Sequence, residues 1–560
     1  MEQLIRDVIT DALTRAKAAG DVHYDNLPEI ALRRPPDKTH GDLATTIAMQ
    51  LASQARRAPR DIAQSIVRNL QTGHSPIQRC EIAGPGFINF YLNPTYWHDE
   101  LANIVGQHAS YGRLGTGQKK KVQVEFVSSN PTGPLHIGHG RGAIVGDVVA
   151  NVLDFAGYDV QREYYVNDAG TQIEKLGHST WCRYMELSGR DIPFVEDGYK
   201  GDYIYDIARE IMEQDGDKYL DMPFDQALPI FKTYTCQCIL TMIREDLERF
   251  RVVFDVWFSE QQLHDSHAID DLVRRLMAEG AMYEQDGAIW FKATGHDDEK
   301  DRVVIRSDGR PTYFASDIAY HDNKFQRGFE KVINVWGADH HGYVPRMKGV
   351  VKALGYSEDA LEVILVQMVS LLRNGKRISM STRAGNFVPL MEVVDEVGVD
   401  ATRFMFNMRR SDSQLDFDLE LAKTQSKENP VYYVQYAHAR ICSIFREAEK
   451  QGIHLADPER IDCSLLALEE ELQLIAELCH FPKIIEISAR ELEPHRVTYY
   501  VHNLASLFHA YYNLGSRNSQ LRVVTGNPEL TQARLLLMKG IQIVIQNALR
   551  LLGVSAPEQM

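Results

Sequence analysis

Residues 122–140 read VQVEFVSSNPTGPLHIGHG, in which a short apolar segment leads through a Pro/Gly turn to a helix that the apolar spacing predicts over 143–155. Strand followed by helix is the repeating unit of a parallel sheet with covering helices. Open sheets of this kind bind ligands beyond the carboxyl ends of their strands. The turn is therefore a predicted binding site, and the unpaired N–H groups at the helix start favour a phosphate there.

The same alternation continues along the chain. Apolar strand-like segments recur at 160–168, 332–340 and 363–372, separated by longer helical stretches. They predict a doubly wound parallel sheet in a domain over 113–390. Between about 178 and 300 the sequence is mostly helical and acidic and lacks this alternation, so we expect an insertion that splits the sheet into two halves.

Two further domains flank this one. Residues 1–112 combine helical segments, among them 42–53 and 59–70, with a strand-like stretch at 87–92, which predicts a small α+β domain. From 391 to 560 the apolar spacing is helical throughout and predicts an all-α bundle.

Composition limits the function. The chain has 560 residues, 44% hydrophobic and 25% charged, with a formal charge of −16, so any nucleic-acid contact must be local. Seven scattered cysteines without a C-x-x-C pair predict reduced thiols and no zinc site. The N-terminal segment is too acidic for a secretory signal, and no apolar run has the length of a membrane helix. We expect a cytoplasmic protein with no membrane contact and no metal-binding residues of its own.

Two histidines follow the turn. His136 and His139 are three residues apart at the predicted helix start, so both imidazoles would face the same anion. Gly138 between them lets a phosphate or a flat base approach the backbone. Taken singly, either histidine could equally be a surface or core residue in a chain with 20 of them. The glycines lack the G-x-G-x-x-G spacing, and no Walker lysine pattern occurs.

The string His136–His139 resembles the HIGH motif of class I aminoacyl-tRNA synthetases. With the preceding residues 125–135 and YVNDAG at 165–170, it is similar to the arginyl-tRNA synthetase family in particular. The resemblance runs along essentially the whole chain. It implies a multidomain α/β protein: a class I Rossmann-like parallel-sheet catalytic core with a helical insertion, a small α+β N-terminal domain and an all-α C-terminal bundle.

The resemblance also implies a reaction and its partners. The expected enzyme is an arginine–tRNA ligase that forms arginyl-adenylate from L-arginine and ATP with Mg²⁺, and then charges tRNA(Arg). Bound tRNA is expected to be required for the first step, and a monomer is expected. The residues that match the family's nucleotide site are His136, Gly138, His139, Gly337, Asp339 and Met380.

A basic loop follows a later strand. Residues 374–386 read NGKRISMSTRAGN, with glycines near both ends. Cations that engage a triphosphate mainly in the transition state raise the rate of adenylate formation, although a solvated basic loop would have the same composition. Residues 379–383 resemble the class I KMSKS motif with neither lysine present. The catalytic candidates in the loop are Lys376, Arg377, Ser381 and Arg383.

A guanidinium group has five N–H donors in a planar fork, so a selective pocket for it needs a carboxylate. Tyr313 and Asp317 lie four residues apart and would share a helix face. The resemblance implies that both line the arginine side-chain pocket. It also implies that Glu125 and Asn130 hold the α-amino and carboxylate ends, and that His340 stands where other members carry glutamine. Without the resemblance, Asp317 could instead cap or pair structurally.

RNA contacts are expected at both ends of the chain. Tyr433, Tyr436 and Arg440 would share one helix face and could stack on unpaired bases, although tyrosines at helical spacing are also typical of a core. The resemblance implies an anticodon-binding C-terminal bundle and an N-terminal module that contacts the tRNA elbow. The RNA-contact candidates in full are Phe87, Asn89, Tyr433, Tyr436, Arg440 and Met560.

Two other functions stay open. One is a class I synthetase for a different amino acid, which activation by arginine alone would exclude. The other is a non-catalytic RNA-binding paralogue that keeps the fold, which the altered residues 379–383 would allow.

Overall fold

The structure is a computed structural model that describes residues 2–35, 37–71, 76–296, 298–378 and 388–560. The chain divides into two compact units. The first comprises Met1–His108, Ala448–Cys479 and Tyr511–Gly540, and the second comprises Ala109–Glu447, His480–Ala510 and Ile541–Met560.

The N-terminal part of the first unit is a small α+β fold. Its elements are α1 (Glu2–Ala18), β1 (Leu32–Arg33), β2 (Leu43–Thr45), α2 (Ile47–Ala55), α3 (Pro59–Arg68), β3 (Ile77–Ala83), β4 (Phe87–Leu92) and α4 (Pro94–Gln107). The strands form an antiparallel sheet of order β1-β2-β4-β3, so the strand predicted at 87–92 is confirmed. The helix predicted over 42–53 is wrong at its start, where β2 pairs with β4. Three residues are too few for a period of two to be recognised in the sequence.

The second unit contains the parallel sheet and the elements around it. In chain order these are β5 (Lys121–Glu125), α5 (Ile137–Phe155), β6 (Asp159–Val166), α6 (Thr171–Leu187), α7 (Asp202–Asp215), α8 (Phe224–Arg249), β7 (Val256–Ser259), α9 (Gln261–Asp265), α10 (Ala268–Ala278), β8 (Met282–Gln285), β9 (Ala288–Phe291), β10 (Arg302–Ile305), α11 (Tyr313–Gln326), β11 (Lys331–Gly337), α12 (Val344–Ala353), β12 (Leu361–Val366), β13 (Val369–Arg373) and β14 (Lys376–Arg377).

The remainder of the chain is mainly helical. Its elements are α13 (Leu390–Val397), α14 (Val399–Phe406), β15 (Leu415–Asp418), α15 (Leu419–Lys423), α16 (Pro430–Lys450), α17 (Glu469–Leu478), α18 (Phe481–Glu491), α19 (His495–Arg517) and α20 (Pro528–Leu551). The expectation of helix throughout this region is wrong at β15, which pairs in parallel with β13.

The five-stranded sheet has the order β12-β11-β5-β6-β7, and its strands are all parallel. The chain moves outward from β5 to β7 and then returns to β11 and β12, which confirms the doubly wound sheet. The strand order therefore reverses between β5 and β11, where such sheets bind their ligands. Helix α5 packs tightly on the sheet, since a Cβ on Gly146 would lie 2.3 Å from the Phe126 ring.

Two predictions about the sheet are wrong. The segment 178–300 was expected to be a mostly helical insertion between the two halves of the sheet, yet its β7 forms one edge of the parallel sheet, while β8 and β9 pair with β10. The apolar run 363–372 was expected to be one strand, yet it divides into β12 and β13 of different sheets. The chain bends between β12 and β13. Gln367 lies at this bend, and its carbonyl accepts a hydrogen bond from the buried guanidinium of Arg141. A continuous apolar run gives no sign of such a bend.

Candidate active site

The site lies at the carboxyl ends of β5 and β11. β5 ends at Glu125, and the backbone then passes through Val127 and Ser128, whose φ angles are +68° and +42°. A positive φ is strained for a β-branched residue, and such strain is concentrated at functional sites. These two residues turn the chain toward His136 and the start of α5.

The two histidines form a compact pair. His136 is the N-cap of α5, and its Nδ1 accepts a hydrogen bond from the Gly138 N–H at 3.1 Å. The Nδ1 of His139 accepts one from the His136 N–H at 3.3 Å. The rings stack with their centroids 3.6 Å apart. Glycine suits position 138 because a Cβ there would lie 3.0 Å from the His136 ring.

Both imidazoles are neutral near pH 7. Burial lowers the pKa of His136, and burial together with the adjacent His136 lowers the pKa of His139 to about 3. Because Nδ1 of each ring accepts a hydrogen bond, the single ring proton lies on Nε2. The pair therefore provides N–H donors, rather than positive charge, at a helix N-terminus that already favours anions.

The ends of the basic loop are anchored in this unit. Lys376 and Arg377 are exposed in β14, and the Arg377 guanidinium donates to Ser370 Oγ at 2.7 Å. After the loop, Pro389 forms a β-bridge with His136. The chain thus returns directly beside the histidines. The remaining loop candidates, Met380, Ser381 and Arg383, lie outside the described residues.

Acidic side chains converge on α11. Asp317 accepts a hydrogen bond from the Tyr343 hydroxyl. Its pKa is raised to about 7 by burial and, to a smaller extent, by the carboxylates of Glu125 and Glu260. Burial likewise raises the pKa of Glu260, which is 4% exposed. Carboxyl groups held at raised pKa in a cleft are typical of a functional site, and a bound cation would favour their ionised forms. We call Asp317, Glu260 and Tyr343 the acid pocket.

The other substrate candidates are Tyr313, Glu125 and Asn130. Tyr313 begins α11 and is 57% exposed, one turn before Asp317. Glu125 is 7% exposed; its Oε1 accepts a hydrogen bond from Ser128 Oγ at 2.9 Å. Asn130 is exposed, and its Nδ2 donates to Gln172 Oε1 at 2.8 Å. These residues come from separate sequence motifs and lie near the carboxyl edge of the sheet, where open parallel sheets bind ligands.

Three further candidates follow β11. Gly337 precedes a short 3₁₀ helix over Ala338–Tyr343. Asp339 and His340 are exposed, with 3.6 Å between the Asp339 carboxylate and His340 Nε2. Their position beside the end of β5 is that of nucleotide-facing groups in open parallel sheets.

Sequence reasoning missed three residues of the site. Lys324 donates from its buried Nζ to Glu125 Oε2 at 2.5 Å. It lies seven residues after Asp317, so helical spacing could have indicated a shared face. Glu260 was missed because β7, which precedes it, had been assigned to a helical insertion. Nothing in the local sequence marks Tyr343.

The RNA-contact candidates differ in exposure. Phe87 is 39% exposed, but the Asn89 side chain is buried within the N-terminal sheet. In the second unit, Tyr433 and Tyr436 are half-buried, and the Arg440 guanidinium lies 4.3 Å from the Tyr436 ring centroid. Met560 is 50% exposed. The tyrosines are therefore partly in the core and partly accessible, and stacking on bases stays a prediction.

Across the described part of the chain, no group of three or more His, Cys, Asp or Glu side chains is arranged to hold a metal ion. In the same residues, no helix combines the length and apolar character needed to cross a membrane.

The parallel sheet with paired histidines at its switch point defines the catalytic domain of a class I aminoacyl-tRNA synthetase. The family described as "tRNA synthetases class I (R), catalytic domain" matches residues 100–441, "Arginyl tRNA synthetase N terminal domain" matches 3–92 and "DALR anticodon binding domain" matches 434–560. The chain belongs to the arginyl-tRNA synthetase family.

Similar proteins agree with this assignment. The arginine–tRNA ligase of Syntrophotalea carbinolica is 53% identical over 560 residues, with 100% of both chains covered. The arginine–tRNA ligase of Geobacter sp. strain M21 is 52% identical, again with 100% of both covered. A crystal structure of a putative arginyl-tRNA synthetase from Campylobacter jejuni has a TM-score of 0.76 at 36% identity and covers 84% of this chain and 100% of that one.

Proposed function

We propose that this chain activates L-arginine with ATP and transfers the arginyl group to tRNA(Arg). The observation that supports this most directly is the acid pocket on α11, which lies in the same unit as the neutral histidine pair. The acid pocket suits a cationic side chain, and the histidine pair suits a triphosphate. The curated relatives, which carry the same activity in their names, match the chain along its full length.

The first step joins arginine to the α-phosphate. A carboxylate oxygen of arginine attacks the α-phosphorus, the bond from that phosphorus to the bridging β-phosphate oxygen breaks, and pyrophosphate leaves with the electron pair. The Nε2–H groups of His136 and His139 donate to the phosphates as charge builds up on them. Neutral donors suit this role because they are preorganised and need no proton transfer.

The second step transfers the arginyl group. The 2′-hydroxyl of the terminal adenosine of tRNA attacks the carbonyl carbon of the mixed anhydride, AMP leaves, and the hydroxyl proton is lost to solvent or phosphate. This step depends on positioning the two reactants rather than on a protein nucleophile. We propose tRNA contacts through Phe87, Tyr433, Tyr436, Arg440 and Met560, whereas Asn89, buried in a strand that pairs on both sides, would contribute structurally rather than by contact.

Selectivity for arginine follows from the acid pocket. Asp317 and Glu260 offer acceptor oxygens that match the planar fork of a guanidinium. A lysine ammonium would leave some of these oxygens unpaired in a desolvated site, which is a large penalty. Tyr313 supplies an aromatic face at the pocket entrance, and Glu125 and Asn130 hold the α-amino and carboxylate ends.

The roles of the remaining candidate residues are also proposed. Lys376, Arg377, Arg383 and Ser381 supply the loop donors for pyrophosphate departure, and Mg²⁺ enters as the counter-ion of ATP. Gly337, Asp339, His340 and Met380 face the nucleotide or the amino acid. The domains are proposed to be 1–112, 113–390 and 391–560, and the protein is proposed to act as a monomer in the cytoplasm.

The test of this function is ATP–pyrophosphate exchange with each of the twenty amino acids in the presence of total tRNA. Exchange is expected with arginine only, because only a guanidinium pairs with the whole acid pocket. Exchange with another amino acid would identify a different class I synthetase. The absence of exchange with all twenty, together with retained tRNA binding, would identify a non-catalytic RNA-binding paralogue.

The raised pKa of Asp317 predicts a pH dependence of arginine binding. With a pKa of about 7 before arginine binds, the carboxyl is mostly protonated at pH 6 and mostly ionised at pH 8. Only the ionised form pairs with a guanidinium, so the arginine Kd is expected to fall about tenfold between pH 6 and pH 8 and to level off above that. Calorimetry in two buffers of different ionisation enthalpy should show a proton released at pH 6.5. Equal heats in both buffers would contradict the assignment.

A further inference from the structure

A chain of buried hydrogen bonds lies between α11 and the sheet. Lys324 Nζ, whose side chain is fully buried, donates to Glu125 Oε2 at 2.5 Å and to Asn334 Oδ1 at 2.9 Å. Asn334 Nδ2 donates to His321 Nε2 at 2.8 Å, and His321 Nδ1 donates to the Asp317 backbone carbonyl at 2.8 Å. This series of hydrogen bonds joins the Glu125 carboxylate on β5 to the Asp317 backbone carbonyl on α11.

In each hydrogen bond of this network, chemistry fixes which group donates and which accepts. An ammonium group can only donate, so the Asn334 oxygen faces Lys324 and its amide nitrogen faces His321. His321 then accepts at Nε2 and donates at Nδ1, which requires a neutral ring, and burial does lower its pKa to about 3. Because every member is satisfied in only one way, the network fixes Lys324 and, through it, the orientation of the Glu125 carboxylate.

We propose that Lys324 is a positioning residue for arginine, which holds the Glu125 carboxylate in the orientation that binds the substrate α-amino group. This inference rests on the proposed function. Glu125 is 7% exposed, and a buried carboxylate needs a hydrogen-bonded partner of opposite charge, which Lys324 supplies. Ser128 fixes the other carboxylate oxygen, so the Glu125 side chain cannot turn away.

The substitution Lys324→Met removes the charge and keeps the volume. In the full-length enzyme with tRNA, it is expected to raise the arginine KM in pyrophosphate exchange at least about tenfold at pH 7.5, with the ATP KM within about twofold of the parent. The charged and titratable groups around Glu125 are Lys324, Tyr320 and Asp317 on α11 and Glu163 and Tyr165 on β6.

Two companion variants separate positioning from folding. Lys331→Met removes another lysine–glutamate pair, 3.5 Å long, at the amino end of β11, and it is expected to leave both KM values unchanged. Asn334→Ala keeps both charges but releases Lys324 from its second partner, and it is expected to raise the arginine KM about threefold or more. This variant keeps the test valid if Lys324→Met does not fold.

A double-mutant cycle completes the test. When Glu125 is already Gln, adding Lys324→Met is expected to change the arginine KM by less than about threefold, because the two residues act as one unit. Additive effects in the cycle, equal rises of the arginine and ATP KM values, or an unchanged arginine KM in Asn334→Ala would overturn the proposal. A lack of arginine-dependent exchange by the unaltered enzyme would instead refute the proposed function.

Discussion

Alanine at both His136 and His139 is expected to lower the rate of arginine-dependent ATP–pyrophosphate exchange by about 10³-fold or more. Each neutral ring offers an Nε2–H donor at the N-terminus of α5, and removing one preorganised donor to developing charge costs about 10²–10³ in rate. Exchange kinetics measure the effect directly. Filter binding of tRNA is expected to be unchanged, because the tRNA-contact candidates lie on other elements.

The control for this prediction is His136→Asn. His136 also caps α5, and loss of a cap costs about 0.5–2 kcal/mol of stability. Asparagine is a strong N-cap and retains the acceptor, but it has no donor where Nε2–H lies. Exchange by His136→Asn is expected to fall about 10²-fold or more, with the free energy of unfolding within about 1 kcal/mol of the parent. Parent-like exchange in the double alanine variant would remove the histidines from the mechanism.

The strand, turn and helix around the histidines could be predicted because the information is local. A strand followed by Pro and Gly residues and a helix start brings i and i+3 side chains together whatever the rest of the chain does. The protonation of the rings could not be predicted. It depends on which backbone N–H group faces each Nδ1, and thus on the positive φ angles of Val127 and Ser128 that set the path of the turn.

The acid pocket, in contrast, depends on residues that are far apart in the sequence. Helical spacing places Asp317 on one face with Tyr313, and the family resemblance implies its role, but its partners come from separate parts of the chain. Glu260 follows β7, a strand of only four residues inside a helical region, and the Tyr343 hydroxyl reaches Asp317 from the segment after β11. Pairing over such sequence distances depends on the order of strands in the sheet, which periodicity does not reveal. The raised pKa of Asp317 therefore depends on residues that the fold brings together from separate parts of the chain.

The substitution Asp317→Asn is expected to cause a large rise in the arginine KM. An amide can still accept the Tyr343 hydrogen bond, so any structural cap is kept while the charge is lost. Leaving a guanidinium desolvated without its carboxylate costs about 2–5 kcal/mol, which corresponds to a rise in the arginine KM of about 30-fold to more than 1,000-fold. The ATP KM is expected to stay within about twofold. The fall of the arginine Kd between pH 6 and pH 8 should also disappear, because Asp317 is the group that titrates.

The matched control for Asp317 lies on the same helix. Asp322 is 8% exposed and pairs with Arg275 at 2.6 Å, so Asp322→Asn removes another buried carboxylate of α11 outside the acid pocket. It is expected to lower the free energy of unfolding without moving the arginine KM. If Asp317→Asn behaves in the same way, with reduced stability and an unchanged arginine KM, Asp317 has only a structural role. The guanidinium would then have to be recognised by Glu260 or by residues outside the pocket. Because both substitutions remove one negative charge from the same helix, the difference between them isolates contact with the substrate from the general electrostatics of α11.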